Sequence, residues 1–261
     1  MIDGPMDAAP PAGGRAGLAR AARLAGLGGL GLAVLATAFA VVSGPGYRFG
    51  WWGLGTGFTL LRWAAYGGIA AVVVSLAGGA GALLAGARRD LLPPALGVLL
   101  GFFIVYVPWS WRETARNVPR IHDITTDTES PPEFVAVLPL RADAPNPAEY
   151  DTAVTALQRE GYPDLGPAVL DVPPSQAFER ALEAARAIGW EIVAADEAEG
   201  RIEATATTFW YGFKDDVVVR IAPSNAGARV DVRSVSRVGR SDVGTNAKRI
   251  RAYLRRLTGG S

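Results

Sequence analysis

The chain has one histidine, His122, in the stretch PRIHDITTDTESPPEF, residues 119–134, beside Asp123 and shortly before Asp127 and Glu129. Imidazole and carboxylate groups at this range can ligate a divalent cation or exchange protons in a hydrolysis, and Asp215 and Asp216 offer further oxygens. A metal-dependent hydrolase built on His122, Asp123 and Asp127 is therefore one reading of the stretch. The spacing matches no recognised ligand motif, and a Thr/Asp/Ser/Pro mixture is also what capped turns are made of. On the structural reading, Asp and Thr side chains satisfy loop amides while Ile121, Ile124 and Phe134 pin the segment to a domain. Neither a metal nor a cofactor is assigned. A serine nucleophile finds no GxSxG elbow, and SRVGRSD lacks that geometry.

Asp215 and Asp216 sit between Lys214 and Arg220, at the start of a strand. Ion pairs with Arg233 or Arg237 on a neighbouring strand are expected, so Asp215, Asp216 and Arg220 are read as a structural ion network. The sharper binding feature is the basic C-terminal end. Residues 113–219 hold 8 Lys/Arg against 20 Asp/Glu, whereas residues 220–261 hold 10 against 2. Arg233, Arg237, Arg240, Lys248 and Arg249 are the candidate contacts to an anionic lipid head group or a phosphate-bearing envelope molecule. GRSDVG, placed before a helix, is a candidate anion cradle. The competing reading is internal: a basic segment folded onto an acidic body neutralises itself.

These residues must be held by elements, and the first half of the chain holds none of them. Residues 1–112 carry 8 Lys/Arg, 3 Asp/Glu and long apolar runs. Three spans are expected at about residues 24–42, 63–87 and 91–109, each near the ~20 apolar residues that cross a bilayer. A tail of residues 1–23, read as cytoplasmic and disordered, precedes them. The long leader and the two spans close behind argue against a cleaved signal peptide. Pro93 and Pro94 suit the first turn of the third helix. Small residues such as Gly97, Gly101, Ala64 and Gly68 permit close helix packing within the chain or between copies. Trp and Tyr gather at the span ends, as in interfacial belts.

Positive charges flanking the spans divide five against five, and the first helix decides in favour of a cytoplasmic N-terminus. The C-terminal domain is then expected outside the inner membrane, in a periplasm, where nucleic acid is not a partner. No Asp, Glu, Lys or His interrupts a span, so an anchor is favoured over a transporter. Cysteine is absent, which excludes disulfides, thiolate ligands and a cysteine nucleophile.

Beyond the spans, AVLDV reads as a strand and PPSQAFERALEAARAIGW as a helix, with Ser175 as its cap and Gly189 as its stop. EIVAAD, GRIEATA, KDDVVVRIA and ARVDVRSVSRV read as strands joined by short turns, GRIEATA with the alternation of a half-buried strand. Residues 242–257 alternate as an amphipathic helix. Hairpin-sized turns and the lack of a glycine-rich phosphate loop exclude a doubly wound parallel sheet. The expected architecture is a three-helix membrane region followed by an α+β domain over residues 113–258, a mainly antiparallel sheet with two helices on one face.

Four blocks in order, RIHDITTDTESPPEF, YPDLGP, GRIEATATTFWYGFKDDVVVRI and DVRSVSRVGRSDVGTNAKRIRAYL, closely resemble the uncharacterised bacterial and plastid family known as domain of unknown function number 1499. Members anchored by N-terminal helices fit the topology above. The resemblance implies no activity and no catalytic residue. The function expected is a membrane-anchored envelope domain that binds a ligand, lipid head group or protein partner.

Overall fold

A computed structural model of the chain describes residues 12–259. It divides into two compact units, one ending at Ser110 and the other beginning at Trp111.

The first unit is helical. Helix α1 spans Ala12–Arg48, α2 Leu54–Leu84 and α3 Leu92–Arg116, the last running on into the second unit. All three are long and apolar enough to cross a membrane. Helix α1 begins inside the segment expected to be a disordered tail, because its Ala, Leu and Arg residues are strong helix formers. The remainder of that tail, residues 1–11, lies outside the described residues. Helix α2 also starts earlier than residue 63, and Pro93 and Pro94 occupy the first turn of α3 as the missing amide donors allow.

Close approach of backbones holds α1, α2 and α3 together. A Cβ placed on Gly78 of α2 would stand 2.9 Å from Gly26 Cα of α1. One placed on Gly101 of α3 would stand 2.7 Å from Gly68 O of α2. Ser75 lies where the helices meet, and a side chain on Gly29 or Gly97 would strike its hydroxyl. The small residues are thus spent on packing inside the chain.

The second unit is a six-stranded antiparallel sheet. Its strands are β1 (Asp123–Thr125), β2 (Ala168–Leu170), β3 (Glu191–Asp196), β4 (Arg201–Thr207), β5 (Lys214–Ser224) and β6 (Gly227–Ser236). Four run in the order β6-β5-β4-β3, and both β1 and β2 pair with the outer edge of β6. The short helix α4 (Thr155–Gly161), α5 (Pro174–Ala187) and α6 (Thr245–Leu257) complete the unit. Helix α5 is capped by Pro173 and begins at Pro174, so Ser175 sits inside the first turn rather than at the cap. Pro at the first position already carries the helical φ. Gly189 ends the helix at a φ of 80°, a left-handed value that glycine adopts without strain.

Alternation divides the strands between two buried faces. Ile202, Ala204, Val217, Val219, Val230 and Val232 pack with Phe178, Ala181 and Ala185 of α5 and with Ala247, Ile250 and Tyr253 of α6. Tyr253 stacks on Trp190 with ring centroids 4.8 Å apart, and its hydroxyl donates to Ala181 O. The other face is closed by the segment between α3 and α4, which we call the strap. Its apolar content is small: Phe134 and Val137 meet Val218 and Val235. Glu203 and Thr205, expected to be the wet side of a half-buried strand, are buried beneath it. Sequence alternation reports that two faces differ in polarity, and here the polar one is covered by protein rather than water.

Replacing Gly78 by Val is expected to push α1 and α2 apart and cost about 1–3 kcal/mol, the usual scale of overpacking. Thermal unfolding of the full chain in detergent or nanodiscs, compared with Gly79→Val, reads this out: a Cβ at Gly79 has its nearest neighbour at 3.8 Å.

Candidate functional site

The charged side chains of the sheet's second face form a set of internal ion pairs. At its centre the Glu203 carboxylate, 0% exposed, accepts from the backbone N–H groups of Val135, Ala136 and Val137 at 2.9–3.1 Å. Three successive amides pointing at one anion form a concave donor set, and here a side chain of β4 fills it. Arg201 Nε approaches the same carboxylate at 3.2 Å.

Asp216 lies one strand over. It receives Arg141 Nη1 at 2.7 Å, Arg237 Nε at 2.9 Å and the Thr205 hydroxyl at 2.8 Å. Arg141 comes from a 3-10 turn of the strap, Leu138–Arg141, and donates also to the carbonyls of Asn146 and Pro147. Burial lowers the pKa of Arg141, and the charge of Asp216 opposes that shift.

Asp123 faces Arg233. The guanidinium, 2% exposed, forks onto both carboxylate oxygens at 3.0 and 2.7 Å and donates to the carbonyls of Pro132 and Ala148. Phe134 and Tyr150 lie against it, with ring centroids 5.2 and 5.4 Å from its central carbon. Burial pushes the Asp123 carboxyl up, and the Arg233 hydrogen bonds and charge pull against it.

Nearer the end of the face, Arg220 and Arg229 are each shared by Asp127 and Asp231, with contacts of 2.9–3.0 Å. Asp127 Oδ1 also accepts from the amides of Glu129 and Ser130. Its burial raises the carboxyl, but those amides and the Arg229 and Arg220 charges outweigh it and hold Asp127 below the ordinary carboxylate range.

On the helix side, Asp215 pairs with Arg249 of α6 at 2.6 Å. Arg249 also reaches the Asn246 amide oxygen and the Ser234 hydroxyl. Asn246 donates to the His122 carbonyl, and the Ser236 amide donates to that carbonyl too. His122 is thus half-buried and tied in by its backbone.

The structure does not bring the hydrolase candidates together. Asp123 forks onto Arg233, Asp127 onto Arg220 and Arg229, and among the described residues no group of three His, Cys, Asp or Glu is placed to hold a metal. Asp215 and Asp216 point to opposite faces of β5 and pair with Arg249 and with Arg141 and Arg237. Of the candidate ligand contacts, Arg233, Arg237 and Arg249 are engaged internally, while Arg240 and Lys248 are exposed. The GRSDVG cradle is filled from within: Asp242 accepts from the amides of Gly244 and Asn246 at the start of α6. Burial raises the Asp242 carboxyl against those two bonds, and it pushes the nearby Tyr162 phenol up to about 12.

Sequence reasoning missed Glu203, Arg141 and Gln158. Gln158 of α4 is buried and spans Thr125, accepting from its N–H at 3.0 Å and donating to its carbonyl at 2.7 Å. Polar residues of these types look solvent-facing when only local alternation is read.

Residues 123–257, just over half of the chain, match the family described as Protein of unknown function (DUF1499). The chain belongs to that family. The match begins at β1 and ends with α6, so it takes in every strand and every acid/arginine pair of the sheet described above. No curated protein and no solved structure matches the chain.

Glu203→Ala would leave three amides and a guanidinium facing a void, and a loss of about 3–5 kcal/mol is expected, as for a broken buried pair. Denaturant unfolding gives the magnitude; faster hydrogen exchange at residues 135–137 would localise it. Asp127 has a folded pKa below its unfolded value, so its stabilisation is complete above the ordinary carboxylate range and is lost as pH falls through the lowered value. The stability gap between the parent and Asp127→Asn is therefore expected to close with acidification, as followed by urea unfolding at a series of pH values.

Proposed function

We propose that this DUF1499 protein is a membrane-anchored binding protein of the cell envelope. In this reading its α+β domain lies outside the inner membrane and holds an anionic ligand, through its phosphate or carboxylate groups, without covalent chemistry. The observation that carries it is the division of labour among the cations of the basic C-terminal end. Arg220, Arg229, Arg233, Arg237, Arg249 and Arg251 are matched to internal acids. Arg240, Lys248, Arg255 and Arg256 are exposed, three of them on α6. The exposed cations are therefore surplus to the fold, and α6 presents positive charge next to a core that is already neutralised. The acids that would run a hydrolysis are committed to arginines, which favours recognition over catalysis.

The sidedness rests on the three spans and on the charged flank of the first helix, which favours a cytoplasmic N-terminus. A fusion of alkaline phosphatase to the C-terminus is expected to be active; activity confined to a cytoplasmic reporter would reverse that assignment.

Each exposed cation near an anionic surface contributes about 1 kcal/mol, so reversing Lys248, Arg255 and Arg256 to Glu should weaken binding by ~100-fold or more. The measurement is sedimentation of residues 111–261 with phosphatidylglycerol vesicles, and in parallel with soluble phosphorylated saccharides, at rising salt. Salt-sensitive binding that the triple variant loses is expected. Binding to vesicles alone identifies a lipid head group, and binding to both identifies the phosphate as the recognised element. Equal behaviour of parent and variant, or no binding to either probe, would overturn the reading.

A further inference from the structure

Helices α5 and α6 pack on the same face of the sheet and meet where the Tyr253 hydroxyl of α6 donates to Ala181 O of α5. The face that α5 turns to the core is built of small residues, Ala177, Ala181, Ala184 and Ala185, with Phe178 as its one large side chain. About a turn beyond the Tyr253 contact, at Ala184 on α5 and Leu257 on α6, a methyl group is too short to fill the space between the helices. A cleft of about 490 Å³ remains there. Ala184, Leu257 and Leu170 of β2 form its apolar floor, and all three are buried. Small-molecule sites have volumes of this order.

Two cations line the same cleft, Arg180 from α5 and Arg256 from α6, with the Glu183 carboxylate beside them. All three residues are exposed, and among the described residues neither arginine is paired with an acid. A single exposed arginine is ordinary surface. These two differ because they come from separate helices and converge on one cavity. Elsewhere in the domain converging arginines have acids between them, as Arg220 and Arg229 have Asp127 and Asp231. Between Arg180 and Arg256 the same counter-charge would come from a bound anion. A guanidinium presents paired N–H donors that match two phosphate oxygens at once. The floor beneath offers the rest of a ligand only hydrocarbon, so a chain of methylenes suits it better than a second polar group.

We propose that the cleft between α5 and α6 binds a phosphate monoester with a short hydrocarbon chain: Arg180 and Arg256 hold the phosphate, and the chain lies on Leu170, Ala184 and Leu257. Glu183 restricts the site to ligands with one anionic group, because a second would meet its carboxylate. Every residue of the site belongs to the second unit. The inference rests on the reading that this domain holds an anionic ligand. To that reading it adds a place, a residue outside the basic C-terminal end, and an apolar half for the ligand.

The full chain in nanodiscs of neutral phosphatidylcholine is titrated by calorimetry, at fixed salt, with hexyl phosphate and with inorganic phosphate, empty nanodiscs serving as the blank. Hexyl phosphate is expected to bind at least ~10-fold more tightly than inorganic phosphate, the effect of about two buried methylenes. Arg180→Glu should weaken hexyl phosphate by ~10-fold or more, and Arg180→Gln by less. Arg186→Glu makes the same charge change on α5 at an exposed position outside the cleft and should have little effect. Position 180 is exposed, so the variants should unfold at the parent's temperature. Equal weakening by Arg180→Glu and Arg186→Glu, or no preference for hexyl phosphate over inorganic phosphate, would overturn the cleft and leave anion binding by the domain standing. Phosphatidylglycerol binding by a parent that ignores hexyl phosphate does the same, and a parent that binds none of the three overturns both readings. Repeating the titration with phosphatidic acid in the nanodisc, against an equal amount of phosphatidylglycerol, assigns the source. Competition by phosphatidic acid marks a membrane lipid as the bearer of the phosphate, unaltered binding marks a water-soluble ester, and either result supports the site.

Discussion

One carboxylate without water around it, that of Glu203, holds the second face of this sheet closed. Antiparallel sheets can leave one face wet, and alternation along β4 is consistent with that arrangement. Here the strap covers the face with little apolar surface to contribute, so burial alone could not fix it. Three strap amides converge on Glu203, and Arg141, Arg233, Asp123 and Asp127 add paired contacts on either side. Buried pairs of this kind add modest net stability because desolvation offsets attraction, but any displaced register leaves charges unmatched. The strap is held to one position more by the penalty for error than by the strength of its contacts.

This use of charge determines what remains for function. The acids that would offer general acid/base chemistry are paired with arginines inside the domain, and the anion cradle before α6 is filled by Asp242. What reaches the surface is surplus positive charge, on α6.

The membrane spans and the antiparallel α+β class were legible because they rest on strong local signals. Eighteen or more apolar residues have few readings, and the alternation in GRIEATA and KDDVVVRIA marks strands whatever covers them. Helix α6 was equally plain from Ala247, Ile250, Leu254 and Leu257, although it starts at Thr245 and leaves Val243, expected on the same face, in the turn before it at a φ of 53°. The charged face was not legible as a whole. That Asp216 needs an arginine could be anticipated; that one of its two partners is Arg141, from a loop 75 residues earlier, could not. Glu203 was the hardest case, since its partners are backbone amides, which every sequence contains. β1 escaped as well, because three residues in a Pro- and Asp-rich segment give no periodicity to read.

The pairing of β1 with β6 also sets a schedule. Asp123 and Arg233 are 110 residues apart, and synthesis at about 5–20 residues per second delivers the second roughly 5–20 s after the first. Throughout that interval the strap has been synthesised and β6, the strand that it joins, has not. An apolar strap would be an aggregation hazard for those seconds. A strap whose cohesion comes from carboxylates and arginines is well solvated until its counter-charges arrive, so the same polarity that makes the finished face exacting makes the unfinished chain safe.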